Sequence, residues 1–71
     1  MNRLKLSQKD IDIIEALKED LQGEYDAINL YEQHISEISI PEIRNMLIHI
    51  KEEEEEHVQE LKSLLSKYTN L

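Results

Sequence analysis

Between Gln8 and Lys67 the chain carries one residue that a helix interior does not accept, Pro41, and on each side of it apolar residues recur in alternating steps of three and four. Upstream the series runs Ile14, Leu17, Leu21, Glu24, Ile28, Tyr31, Ile35 and Ile38; downstream it runs Ile43, Leu47, Ile50, Glu54, His57, Leu61, Leu64 and Tyr68. Residues three and four apart share one face of an α-helix, so each series is a stripe, and such stripes belong to long helices that pack at shallow angles. Met46, Val58 and Leu65 widen the second stripe beyond what a two-stranded coiled coil needs. The chain is therefore expected to be all-α, a single domain over 1–71 folded as an antiparallel two-helix hairpin. Helix one is expected over about residues 8–38, the turn over 39–41 and helix two over about 42–68.

Local signals agree with those bounds. Ser7 stands where an N-cap belongs, with Asp10 three residues on in a capping-box position. Proline disfavours helical backbone at Ile40 and suits the first turn of a new helix, whose N-terminus Glu42 then favours electrostatically.

A chain of 71 residues buries only roughly 60% of the surface its unfolded form exposes, so its own core is marginal. With no cysteine a disulfide cannot help, which leaves association or a metal. The formal net charge of −8 argues against nucleic acid as a partner and suits the attraction of cations. The opening residues MNRLKLSQKD contain no apolar segment long enough for a signal peptide or a membrane span. A cytoplasmic chain with no membrane partner is the expectation.

Within the two stripes all positions but three are apolar or tyrosine, and the three are Glu24, Glu54 and His57. Counted from Ile40, Glu24 lies sixteen residues back, and Glu54 and His57 lie fourteen and seventeen forward. At about 1.5 Å per residue, all three reach one level, about 24 Å from the turn. Burying carboxylates without compensation costs several kcal/mol per ion, so such groups are neutralised, paired or metal-bound. No lysine or arginine falls on either stripe to pair them. Carboxylate oxygens with an imidazole nitrogen form a ligand set for iron, manganese or zinc.

Glu54 and His57 also form a Glu-x-x-His pair. In carboxylate-bridged di-metal bundles, a Glu from each of two helices joins a Glu-x-x-His pair from each of the other two. One hairpin supplies half of that set, and a second copy related by a twofold axis would complete both the four-helix bundle and the site. The residues alone also allow a metal-free helical oligomerisation module, in which the three polar groups pair among themselves and set register.

The stretch LQGEYDAINLYEQHISEISIPEIRNMLIHIKEEEEEH resembles the ferritin-like superfamily, and most closely the encapsulated ferritins, two-helix ferroxidases of encapsulin nanocompartments. The resemblance rests on the Glu24 to His57 spacing, the Ala27-Ile28-Asn29-Leu30-Tyr31 stretch and the Pro41-Glu42-Ile43 turn. It implies that Glu24, Glu54 and His57 bind iron, two ions per dimer, with Tyr31 beside the site and manganese or zinc as substitutes. It further implies a ferritin-like four-helix bundle within a ring-like decamer, oxidation of Fe(II) by dioxygen, and iron storage with an encapsulin shell protein as partner, reached by fusion or in some way other than the family's targeting tail. Peroxide reduction of the rubrerythrin type is the related alternative. The family commonly has an acidic residue at the position of Gly23, a glutamate at that of Asp26 and a tryptophan at that of Leu30, so a peripheral metal-uptake site differs here.

Other residues carry weaker expectations. Tyr31 lies on the stripe two turns from Glu24, as packing or as an electron donor, and Tyr25 is expected in an interface. Glu53 is placed either to orient His57 of the partner subunit or as a solvated member of the glutamate run, His34 and His49 are expected on the surface or in oligomer contacts, and Glu52, Glu55, Glu56 and Glu60 are expected in solvent, where a ring could use them as a cation path.

Overall fold

The computed structural model describes residues 5–69. Helix α1 spans Gln8–Glu37 and helix α2 spans Pro41–Thr69, joined by residues 38–40 into an antiparallel hairpin 54 Å long. No strand occurs among the described residues.

Each end of α1 has a side-chain or backbone reason. Ser7 is extended, its Oγ accepts from the Asp10 amide, and the Asp10 carboxylate accepts from the Ser7 amide, so the capping box forms at both contacts. At the far end Ile38 leaves helical geometry while its amide still donates to the His34 carbonyl. The Arg44 guanidinium reaches back across the turn and donates to the Ile38 carbonyl, satisfying an acceptor that the ended helix leaves free. Pro41 is the first residue of α2 rather than part of the turn, because its missing amide hydrogen costs nothing at that position. The Arg44 amide then donates to the Ile40 carbonyl to close the first turn.

Between the helices, the α1 stripe faces α2 as expected, with all eight positions from Ile14 to Ile38 partly shielded. On α2 the contact face is rotated from the expected one. Val58 and Leu65, at 4% and 6% exposure, form the core, and Leu47, Lys51, Glu54, Leu61 and Tyr68 continue their line. Ile43, Met46 and Leu64 lie instead on an outer face, exposed with His57 beside them. The sequence pattern showed one wide stripe; packing against a single helix uses only one edge of it and leaves the other edge bare. Only two side chains are buried hydrophobics among the described residues, so most of the apolar surface that could stabilise this chain is not used by the hairpin itself.

A candidate metal centre

Glu24 comes from the middle of α1; Glu54 and His57 come from one turn of α2. His57 Nδ1 lies 3.7 Å from Glu24 Oε2 and 3.9 Å from Glu54 Oε1. One ligand-type atom from each of the three lies within 4.8 Å of the others, the span that a single cation would bridge. The common level predicted from the count of residues along each helix is thus where the side chains meet.

Burial is unequal. Glu54 and Glu24 are shielded by the helix contact, at 22% and 27% side-chain exposure, whereas His57 is 54% exposed on the outer face. The shielding has an electrostatic consequence. Glu24 Oε2 is closed off from solvent with no hydrogen-bond partner, the one such side-chain atom among the described residues. Two adjacent carboxylates have no donor to exchange unless one is protonated. The Glu54 carboxyl is accordingly held above its ordinary range, first by hydrogen bonding with Glu24, then by burial and by the negative charge of Glu24, with His57 opposing. An orphaned buried oxygen, a crowded carboxylate and an imidazole nitrogen together fit a hard or borderline cation.

The neighbourhood is acidic and open. Glu19, Asp20 and Glu60 line the groove that leads to Glu24 and His57. Lys51, on the contact line of α2 and half-buried, was the cation that the sequence pattern had placed outside the stripe. Its ammonium lies 3.7 Å from Glu32 and 3.9 Å from Glu55, pairing those carboxylates and not Glu24 or Glu54. Hydropathy alone hid it, since a lysine stem can cover apolar surface while its head reaches outward.

Among the other expected residues, Tyr31 is partly shielded on the α1 stripe and Tyr25 is exposed. Glu53 lies 3.7 Å from His49 on its own helix, with both side chains exposed. His34 is exposed near the turn, and Asp26 accepts from Gln22 one turn before it. Arg44 was missed as a structural residue; its place three after Pro41, within reach of a helix C-terminus, is the signal that could have found it. No helix among the described residues is long and apolar enough to cross a membrane.

Neither the curated proteins nor the solved structures contain a match to this chain. A family model does match, over residues 12–70, which takes in α2, all of α1 but its first turn, and all three residues of the cluster. The chain belongs to the family described as "Domain of unknown function (DUF2383)".

Proposed function

We propose that this protein is a ferroxidase subunit of the ferritin-like kind, in which Glu24, Glu54 and His57 bind Fe(II) as substrate and a second copy completes a two-iron site. The observation that carries this is the meeting of two carboxylates and an imidazole within 4.8 Å on the half-shielded middle of the hairpin, with Glu24 Oε2 left without a partner. Carboxylate oxygens favour Fe(III) over Fe(II), so iron held there is primed to give an electron to dioxygen. The chain's own groups have separate tasks. Glu24 and Glu54 offer carboxylate oxygens to the cation, His57 offers a ring nitrogen, and Glu19, Asp20 and Glu60 raise the local cation concentration along the groove.

The need for a second copy follows from number. One hairpin brings one Glu and one Glu-x-x-His pair, half of the bundle set. The bare apolar edge of α2 runs through the same level and is what a four-helix bundle would cover. Encapsulin as partner and a ring of dimers belong to this reading through the resemblance of residues 21–65 to encapsulated ferritins. Iron storage by an open assembly would need such a shell.

A second reading has its own observation: His57 Nδ1 lies 3.7 Å from Glu24 and 3.9 Å from Glu54, so the three groups can pair among themselves without any metal, as a register-setting polar layer would. Anaerobic Fe(II) addition followed by dioxygen separates the two. A ferroxidase gives one iron per chain and rapid ferric absorbance; a metal-free module gives neither. Replacing dioxygen by peroxide distinguishes a rubrerythrin-like activity.

A further inference from the structure

Lys51 is the one lysine among the described residues whose side chain is not exposed, and it stands one turn before Glu54 on the contact line of α2. The two side chains are equally shielded, at 23% and 22% exposure. Residues three and four apart share a helix face, so the long stem of Lys51 gives its ammonium a choice between Glu54 and Glu55 on the next turn. The ammonium takes Glu55, at 3.9 Å, and reaches across to Glu32 of α1, at 3.7 Å. No ion pair joins it to Glu54 among the described residues.

Electrostatics makes that choice informative. Glu54 is crowded by the carboxylate of Glu24 with only an imidazole beside them, and charges shielded from water attract more strongly than half-exposed ones. Glu54 is therefore the more attractive partner for a nearby ammonium, and one exposed carboxylate holds such a group only weakly. Two carboxylates hold it here, one from each helix. They keep it on the side of the hairpin where Glu55 borders a recess with Tyr25, Ile28 and Gln59, apart from the groove that Glu24 and His57 border.

We propose that Glu32 and Glu55 are positioning residues for the metal centre, acting through Lys51: they hold its ammonium away from Glu54 and so leave the Glu24, Glu54 and His57 set free for a divalent cation. This rests on the metal site proposed above. An ammonium that swung to Glu54 would neutralise one ligand and repel the incoming ion. The stem of Lys51 is useful where it is, because it covers apolar surface in the helix contact, and its charged head is what has to be kept elsewhere.

The test is a cycle of variants in the full chain, read as Zn(II) affinity against a chromophoric chelator, which needs no oxidation step. Glu32→Gln/Glu55→Gln releases the ammonium and lowers affinity about tenfold, the low end of what partners outside the ligand set contribute. Adding Lys51→Met, which keeps a flexible apolar stem, returns affinity to within about twofold of wild type, and Lys51→Met alone changes it by less than about twofold. Circular dichroism and thermal melts on each variant verify that the helices are folded under the assay conditions. If the two carboxylates acted only through their charge at a distance, Lys51→Met would raise affinity by the same factor in both backgrounds; that additive result overturns the proposal. Unchanged affinity in Glu32→Gln/Glu55→Gln overturns it as well, as does a loss that Lys51→Met fails to recover. A wild-type chain that binds no Zn(II) removes the proposal together with the metal site. Zn(II) binding with the non-additive cycle but without iron oxidation leaves the proposal standing and removes the ferroxidase; iron oxidation with an additive cycle does the reverse.

Discussion

Glu24 of α1 and His57 of α2 meet across the hairpin, Oε2 to Nδ1, at 3.7 Å. Because each comes from a different helix, the contact holds in only one register. A slip of one residue moves a side chain by about 1.5 Å along the axis and turns it by about 100°. Register in turn depends on the short connection at residues 38–40 and on the packing of α1 against α2.

Removing either α2 ligand is therefore expected to remove the site without unfolding the hairpin. Glu54→Ala and His57→Ala should each lower the initial rate of iron oxidation by about 10²-fold or more, since disturbing even the partners of metal ligands costs about 10–100-fold. Stopped-flow absorbance with metal analysis checks this. Full iron content and rate in either variant would refute the ligand assignment.

The crowded carboxylates give the metal-free protein a pH signature. Glu54 titrates above its ordinary value in the fold, so its protonated form stabilises the folded state. That stabilisation is complete below the unfolded value of 4.5 and is lost as pH rises through the raised value. In EDTA the melting temperature should fall across that interval, and Glu54→Gln should flatten this part of the profile. Iron should reverse the trend, because its ligands bind in the deprotonated form and binding therefore tightens as pH rises. An unchanged profile in Glu54→Gln would show that Glu54 does not carry this pH dependence.

Arg44→Ala should cost about 1–2 kcal/mol of stability by urea denaturation, the range for a hydrogen bond from a charged donor to a helix-terminal carbonyl. Arg44→Lys should recover part of it. Because Arg44 is remote from the cluster along α2, iron per folded chain should stay at the wild-type level; loss of iron with retained stability would contradict a purely structural role.

Gly23 sits inside α1, and a Cβ added there meets nothing within 4 Å in the single hairpin. Gly23→Ala should thus raise stability by about 0.5–1 kcal/mol at dilutions where the chain is monomeric. Thermal melts over a dilution series check this, and a loss of stability in the monomer would contradict it.

Much of this was legible in the residues. The helix pattern, the capping box at Ser7 and Asp10, and the level shared by Glu24, Glu54 and His57 all follow from local periodicity and from counting outward from Pro41. What periodicity could not decide is which edge of a wide stripe a single partner helix uses. On α2, Val58 and Leu65 took the core, and Met46, His57 and Leu64 were left outside. Lys51 was invisible for a similar reason, because its stem packs on the contact line while its charge is met by Glu55, which reads as a surface residue, and by Glu32 of the other helix. A long-range pair of that kind carries no local signal.

The proposed function makes this hairpin half of an iron site. Its most direct measurement is anaerobic titration with Fe(II) on a sizing column with in-line metal analysis. The account predicts saturation at one iron per chain, two per dimer, with iron co-eluting with a species of at least dimer size and with no such retention in Glu54→Ala. Elution free of iron at every ratio, by a folded and helical chain, would contradict it.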